Sequence, residues 1–402
     1  MGKRQRLIKN VKVKVIDTKN PYIRSPRTIE IETEKGKITA PTRAATGYEY
    51  RQKAKLPAES TIDNAFTLNT LVLNSRDFEK FMGDNKYFEG VLKKVKTYTK
   101  IERYSTFLFE FYLTSTGNSE SLSYVSNPEI RKGFLNRVLD IHQYCSITDF
   151  VVPYLGIPYS EYVNELKNLK QASDKLKLTI IPEIDLEYKD FGKLLNYCIN
   201  ELGLNVIFLI NREYHKTAQS HRAVWDYNDK DVAFFISHTP RSLKEMQDLS
   251  GIHYMPFMVG DVFGVKEYSR FVPPKPSKLP EMKTDLDKLK FFYRKDCDLK
   301  SVKTLLPVWS DFKVDIKKEF NLDDSLDSII DNIHEAENDT EKYNVVKALT
   351  RVHELKASTS ELSVFRSFIQ SQDTVDYVKS KPKIKPLTKE NELLNYDLSM
   401  YL

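Results

Sequence analysis

The hydrophobic pattern of this chain contains four short apolar runs that each end on a polar or charged residue. They are Leu178–Asp185 (LTIIPEID), Val206–Arg212 (VIFLINR), Val232–His238 (VAFFISH) and Met255–Asp261 (MPFMVGD). Continuous runs of β-branched and aromatic residues are typical of strands buried on both faces of a parallel sheet. Because amphipathic stretches separate several of the runs, we predict an α/β fold, a TIM-like (β/α)8 barrel.

A barrel of this kind would gather its functional groups at one end. In βα barrels the active site lies at the C-terminal ends of the strands, where the loops to the helices begin. The four runs would then bring Glu183, Asp185, Arg212, His238 and Asp261 to one shared mouth. This prediction requires that the strands are parallel and form a ring.

The remaining pattern divides the chain into four predicted regions. Alternating Val and Lys over Val11–Ile16, followed by two strands around a glycine turn, predicts a β-hairpin. The proline-rich stretch Val272–Pro280 marks a boundary. Before it we predict a short helix over Leu243–Leu249 and a last strand over Ile252–Val259. The regions are an N-terminal β-hairpin region (1–60), the βα-barrel core (61–275), a helical C-terminal part that packs on the barrel (285–378) and a tail (379–402).

The amino-acid composition excludes only a few classes of protein. The 402 residues are 41% hydrophobic, which supports a buried core rather than wholesale disorder, and the net charge of +6 permits an anionic partner without requiring one. Cys145, Cys198 and Cys297 lack CxxC spacing, so we expect no disulfide framework and a reducing compartment. Because no stretch approaches the roughly 20 apolar residues of a membrane span, we expect a cytoplasmic protein without a membrane partner.

Three segments share a pattern with one known family. They are the strand–turn–strand Ile29–Pro41 (IEIETEKGKITAP), the helical stretch Val345–Pro382 with Glu361–Ile369 (ELSVFRSFI), and Phe292–Ser301 (FYRKDCDLKS). Together they resemble the tRNA-guanine transglycosylase superfamily, with its archaeal members and DNA-acting relatives. There they correspond to the opening hairpin, the helices near the end of the barrel and the region of the zinc cysteines. The resemblance implies a barrel enzyme that replaces guanine with a 7-deazaguanine derivative in DNA or tRNA.

The chain departs from that family at three functional positions. A zinc site of three Cys and one His is reduced to Cys297, so we expect no metal and no cofactor. The nearest counterpart of an Asp-Ser-Gly motif, whose Asp lies in the family's base pocket, is Leu113–Gly117 (LTSTG), which has no carboxylate. The family's nucleophilic Asp ends a late strand. Asp261 is the nearest acid, although a strict register would place Pro256 there.

The chemistry that the resemblance implies assigns roles to particular residues. Base exchange needs a carboxylate nucleophile, a group that carries the proton of the base, and a pocket for a flipped nucleotide. We predict Asp261 as the nucleophile and Asp185 as the second catalytic acid. The base-binding candidates are Glu183, Tyr112, Ser115, Phe257 and His238. The nucleic-acid candidates, basic residues in part interleaved with aromatic ones, are Arg51, Lys53, Arg212, Lys216, Arg222 and Arg241.

Each of these residues also has an ordinary structural explanation. Asp185 precedes a helix and can cap it, Asp261 follows Gly260 and can close a turn, and the basic residues can be solvated surface charges. Three hypotheses therefore stay open. The first is the base-exchange enzyme. The second is a catalytically silent relative that binds nucleic acid or partners an active subunit, as a homodimer or heteromer. The third is a barrel enzyme of unrelated small-molecule chemistry.

Overall fold

An eight-stranded parallel sheet that curls into a nearly closed barrel is the centre of this computed structural model. The structure describes residues 8–19, 25–53, 66–101, 106–114, 122–211, 218–243, 249–257, 259–265, 289–320, 340–381 and 383–384. Its strands, in chain order, are β1 Ile8–Ile16, β2 Arg27–Thr33, β3 Gly36–Ala40, β4 Thr42–Thr46, β5 Phe66–Leu73, β6 Thr106–Leu113, β7 Asp149–Val152, β8 Thr179–Asp185, β9 Val206–Ile210, β10 Ala233–Thr239, β11 Ser242–Leu243, β12 Leu249–Ser250, β13 Val262–Val265, β14 Lys290–Tyr293 and β15 Asp298–Ser301. Its α-helices are α1 Gly47–Lys53, α2 Ser75–Gly83, α3 Asn85–Ile101, α4 Pro128–Tyr144, α5 Tyr159–Leu176, α6 Phe191–Asn196, α7 Ala218–Trp225, α8 Gly251–Tyr254, α9 Val302–Leu305, α10 Trp309–Phe320, α11 Thr340–Ser371 and α12 Thr374–Ser380.

The barrel strands lie in the order β6-β5-β4-β13-β10-β9-β8-β7, and neighbouring strands are parallel. The two edge strands β6 and β7 also contact each other, which nearly closes the ring. The strands are apolar along most of their length because one face lies inside the ring and the other lies under the helices. The predicted TIM-like barrel is therefore confirmed, and its first strand is β4, which lies before residue 61.

The N-terminal end of the barrel is covered by the antiparallel sheet of β1, β2 and β3. Strands β2 and β3 form the hairpin that the alternating pattern predicts. Ile29 and Ile31 of this sheet share one buried cluster with Leu108 and Phe208 from the inside of the barrel. The floor of the barrel is thus apolar and covered, so a site inside it must be reached from the C-terminal ends of the strands, which we call the mouth.

The segment between β10 and β13 differs from its sequence prediction. The predicted strand over Ile252–Val259 is wrong, because α8 and a 3-10 turn at Met255–Phe257 occupy most of this range. Pro256 explains the difference, since proline cannot donate a ladder hydrogen bond and is avoided in central strands. The predicted helix over Leu243–Leu249 is wrong at both described ends, where β11 and β12 pair with each other.

The C-terminal part forms a helical layer beside the first barrel strand. Phe312 and Ile316 of α10 and Leu349 and Val352 of α11 bury their side chains in one cluster with Ala45 of β4. The predicted C-terminal helical extension is present, and it includes a β14–β15 hairpin that the helical pattern does not predict. Within the described ranges, no helix combines the length and apolarity that crossing a lipid bilayer requires.

Candidate active site

Two barrel strands carry a carboxylate into the middle of the ring. Alternate residues of a strand face the same side, so every second residue lines the interior. On β6 this series is Leu108, Glu110 and Tyr112. On β8 it is Ile181, Glu183 and Asp185. Each series therefore passes from the apolar floor through an acidic middle layer to the mouth.

A bulge near the end of β10 adds a histidine to the acidic layer. The register between β10 and β13 shifts there, and His238 has a left-handed backbone with φ of 63°. Few non-glycine residues adopt this conformation, and bulges beside functional sites redirect side chains. As a result two consecutive residues face the acids. The Ser237 hydroxyl donates to Glu183 Oε1 (3.3 Å), and His238 Nε2 lies 2.6 Å from Glu110 Oε1.

Every oxygen of the two carboxyl groups has a partner in the protein. Glu110 Oε2 accepts from the Thr70 hydroxyl (2.9 Å), and Glu183 Oε2 accepts from the backbone N–H of Tyr154 (3.2 Å). A further hydrogen bond joins Glu110 and Glu183. Both side chains are 0% exposed. Glu110, Glu183 and His238, which we call the acid–base cluster, therefore share one dry site.

The two acids of the cluster differ in protonation. Burial would raise the pKa of Glu110, but the electrostatic attraction of His238 and hydrogen bonds with Glu183, His238 and Thr70 outweigh it and lower that pKa to about 2. Burial raises the pKa of Glu183 well above its usual range, and the neighbouring charge of Glu110 raises it further. Glu110 is thus ionised while Glu183 keeps its proton. Such separated pKa values are the arrangement in which one acid acts as a base or nucleophile and the other as a proton donor.

Aromatic and apolar side chains lie around the mouth. Tyr112, Tyr154, Val72 and Ile210 form one small cluster. The Tyr112 ring lies 4.1 Å from the His238 ring, tilted by 41°, and Tyr154 is half-buried. Flat aromatic faces at the approach to a polar layer are suited to stack on a planar ligand.

The acid–base cluster is also a group that can be tested for metal binding. Its ligand atoms lie within 4.8 Å of one another, and carboxylates and histidine are ligands that zinc accepts. A cation would have to displace hydrogen bonds that already satisfy these atoms, together with the proton of Glu183. The contacts favour a shared proton over a bound cation.

The region that resembles the family's zinc site has other contacts. The Sγ atom of Cys297 lies 3.6 Å from the carbonyl oxygen of Arg294 and 3.7 Å from the Tyr377 hydroxyl. Tyr377 donates in turn to Glu361 (3.1 Å). Burial raises the pKa of Cys297 to about 12, and among the described residues no group of three metal-ligating side chains includes this thiol. The residues at this place do not fit a zinc site.

The structure brings three of the predicted base-binding residues together. Glu183 and His238 belong to the acid–base cluster, and Tyr112 stacks on its histidine. Asp185 lies at the end of β8, but its side chain accepts the backbone N–H of Glu187 (3.0 Å). This contact is a local turn interaction and not the helix cap that the sequence suggests, because α6 begins at Phe191 with Asp190 at the N-cap position.

Asp261 requires a correction. The expectation that it ends a strand is wrong, because it precedes β13 and lies at the N-terminal end of the barrel. Its carboxylate accepts from Nε (3.0 Å) and Nη2 (2.7 Å) of Arg27 and from the backbone N–H of Phe234 (2.9 Å). The side chains of Arg27 and Asp261 are 1% and 2% exposed. Asp261 is therefore half of a buried ion pair and does not face the mouth with Glu183.

The other predicted residues whose side chains are described have places away from the acid–base cluster. Phe257 packs on Phe365 of α11, with ring centroids 4.9 Å apart, and Arg241 forms an ion pair with Glu354 of α11. Arg222 is exposed on α7. Arg51 and Lys53 belong to α1, and their side chains are not described. Ser115, Arg212 and Lys216 lie outside the described residues.

Sequence reasoning missed Glu110, Thr70 and Ser237. A usable signal exists only for Glu110, which is the single charged residue in the strand TFLFEFYL. A charge inside a strand that is buried on both faces is costly unless it is paired, so such a residue marks a polar site in the barrel. Thr70 and Ser237 have no comparable signal, because hydroxyl residues are common in strands.

Comparison with family models and with curated proteins assigns no function to the site. No family model matches the sequence, and no curated protein matches it. The fold and the site together define the class: a TIM-like barrel with a buried acid–base cluster toward the C-terminal ends of its strands.

Proposed function

We propose that this protein is a transglycosylase-like base-exchange enzyme, which replaces guanine in DNA or tRNA with a 7-deazaguanine derivative. The observation that carries the proposal is the Glu110–Glu183 pair, in which an ionised and a protonated acid are adjacent inside the barrel. The resemblance of three sequence segments supplies the substrate class. The cluster supplies the groups that exchange at a glycosidic bond requires.

In the proposed reaction Glu110 is the nucleophile and Glu183 carries the proton. The Glu110 carboxylate attacks C1′ of the target nucleotide while the bond from C1′ to guanine breaks, and Glu183 gives its proton to the leaving nitrogen. The incoming base gives its ring N–H proton to Glu183 as that nitrogen attacks C1′ and releases Glu110. Retaining glycosidases, which use the same double displacement, hold their carboxyl groups about 5–5.5 Å apart. The oxygens here lie within 4.8 Å.

The surroundings of the pair support these roles. Thr70 and His238 both contact Glu110 and hold it in the ionised form. Tyr112 and Tyr154 offer aromatic faces on which a base extruded from its stack can rest. The nucleotide approaches from the mouth, past the half-buried Tyr154.

Incorporation of a labelled base tests the proposal. Purified protein is incubated with duplex DNA or with tRNA and with labelled guanine or a 7-deazaguanine base, and label in the polymer is measured. We expect incorporation by the wild type and a loss of at least about 100-fold in Glu110→Gln and Glu183→Gln, because each removes one half of the acid–base chemistry. Glu165→Gln, which alters one of the two acidic partners of Arg131 between α4 and α5, is the control and should retain activity.

Two results would contradict the base-exchange proposal. One is absence of incorporation into either polymer by folded wild-type protein. The other is full activity in a folded Glu110→Gln variant. Circular dichroism and thermal unfolding establish that each variant is folded.

The catalytically silent relative is the second candidate, because both acids are fully buried and satisfied by protein donors. This candidate predicts salt-sensitive binding of DNA or tRNA with no incorporated label.

A further inference from the structure

The segment that follows β10 holds His238 in a strained backbone conformation. The left-handed φ of His238, 63°, is uncommon for a residue with a side chain and persists only where the surroundings impose it. The imidazole contributes one contact to Glu110 at 2.6 Å. The Tyr112 ring packs on the imidazole as well, and the backbone that follows His238 is held by contacts of its own.

The restraint lies three residues further along, at Arg241. Its guanidinium makes two hydrogen bonds to the Glu354 carboxylate of α11, one of them from Nε at 3.1 Å. The Arg241 carbonyl accepts the backbone N–H of Gly251 (3.3 Å). A Cβ atom at Gly251 would lie 2.1 Å from the carbonyl oxygen of Pro240, so α8 approaches this segment too closely for any other residue. Both the side chain and the backbone of the segment are therefore clamped.

Glu354 is itself held from the first barrel strand. It lies 3.7 Å from Arg43 of β4, which also binds Glu49 and the Ser358 hydroxyl. Glu49 accepts the backbone N–H of Thr46 (2.8 Å) at the end of β4. The network thus connects the end of β4, through α11, to the segment that follows β10.

We infer that Arg241 and Glu354 are positioning residues that hold His238 against Glu110. The charge of the anchor supports this role. Burial would raise the pKa of Glu354, but Arg241 and Arg43 lower it to about 2, so the carboxylate is ionised at neutral pH and stays available to Arg241. The inference gives Arg241 a structural partner in place of the phosphate contact that the sequence pattern predicts. Its activity readouts rest on the proposed base exchange, whereas its hydrogen-exchange readout does not.

Arg241→Lys and Arg241→Met test the inference, with Glu361→Gln as a matched control. Glu361 is another buried glutamate of α11 that binds an arginine, Arg294, and its further partners are Tyr377 and Lys381. Amide hydrogen exchange is measured over residues 236–241 by mass spectrometry. We expect faster exchange there in Arg241→Met and no change in the control. The change in Arg241→Lys should be smaller, because lysine keeps the positive charge but lacks the planar guanidinium that makes two hydrogen bonds.

Base exchange adds a readout that a merely structural role would not move. A shift of about 1 Å in a catalytic contact can cost as much as about 100-fold in rate, so we expect kcat of Arg241→Met to fall by about 10-fold to 100-fold with KM nearly unchanged. We also expect the acid limb of its pH–rate profile to move to higher pH, because Glu110 loses part of the His238 contact that lowers its pKa.

The outcomes separate this inference from the proposed function. Unchanged hydrogen exchange at 236–241 in both Arg241 variants, or an equal increase in Glu361→Gln, would overturn the positioning role. An unshifted acid limb in an active Arg241→Met variant would also overturn it. Absence of exchange activity in the wild type would refute the proposed function, while the hydrogen-exchange comparison would still decide the positioning role.

Discussion

The two ends of the barrel bury acids in opposite ways. At the N-terminal end, Asp261 accepts two hydrogen bonds from the Arg27 guanidinium and one from a backbone N–H, so its charge is matched by a full positive charge. Toward the mouth, Glu183 has a hydroxyl, a backbone N–H and another acid as neighbours. Both carboxyl groups are equally inaccessible. The difference lies in the partners that each of them has.

The difference indicates what each buried acid contributes. A carboxylate matched by arginine is held in one charge state and one position, and removing either partner leaves an uncompensated charge. An acid that burial and a like charge keep protonated is poised to exchange a proton, which is what acid–base chemistry needs. Burial alone therefore does not identify a functional acid; the balance of partners does.

The largest expected effect is at the N-terminal end. Asp261→Asn keeps the size of the side chain but removes its charge and leaves the Arg27 guanidinium without its anion. We expect the free energy of unfolding to fall by about 3–5 kcal/mol, as is usual when one partner of a buried ion pair is lost. Urea unfolding at neutral pH measures it.

An exposed pair provides the control for that measurement. Asp376→Asn removes the acidic partner of Lys379 on α12, where both side chains are exposed, and we expect a loss of about 0–1 kcal/mol. A loss below 1 kcal/mol for Asp261→Asn would break the comparison, since the pair would then not be the stabilising element of its end.

The sequence predicts the barrel and part of the mouth because both depend on local pattern. The apolar runs that contain Glu183 and His238 are strands, and their parallel pairing brings the two residues together. The same reasoning predicts Asp261 at the end of a strand. This prediction is wrong, because the run that contains Pro256 is helical and the strand starts only after Asp261. Alternation within one strand would have been needed to place Glu110.

Other parts of the site depend on contacts that no local pattern encodes. Glu110 and His238 are 128 residues apart, and they meet because a bulge turns the histidine inward. Arg241 reaches Glu354 across 113 residues. A basic residue in a polar loop looks the same in sequence whether it binds a phosphate or a carboxylate of its own chain.

A smaller effect is expected from Glu183→Gln, and it depends on pH. The pKa of Glu183 is raised in the folded state, so its contribution to stability is fully present below about pH 4.3 and is lost as the pH rises through the folded-state pKa. The Glu183→Gln variant has no ionisable group at this position, so its stability does not fall for this reason as the pH rises. Over that window the wild type should lose up to about 1.4 kcal/mol per pH unit relative to the variant.

Urea unfolding between pH 4 and pH 8 measures the free energy of unfolding of the wild type and of Glu183→Gln, and so shows how their difference changes with pH. The expected signature is a gap between variant and wild type that moves in favour of the variant as the pH rises. A constant gap across the range would mean that Glu183 ionises as it does in the unfolded chain, and the contrast between the two ends would disappear.

The smallest expected effect comes from Thr70→Val, which removes the hydroxyl that donates to Glu110 at 2.9 Å. We expect a loss of about 1–2 kcal/mol at neutral pH, because a buried carboxylate oxygen then lacks a donor. The lowered pKa of Glu110, about 2, means that its contribution to stability is present above about pH 4.3 and is lost as the pH falls toward 2. The gap between wild type and variant should therefore shrink in acid.

Thr350→Val is the matched control for Thr70→Val. Thr350 is a threonine whose hydroxyl donates to a neutral backbone carbonyl of Lys347 (2.8 Å), so the cost of its removal should not change with pH. Unfolding of both variants at pH 7 and pH 3 decides the point. If the two variants show the same pH dependence, Glu110 is not held ionised by its donors, and the mouth of the barrel lacks the charged half of the acid pair that distinguishes it from the N-terminal end.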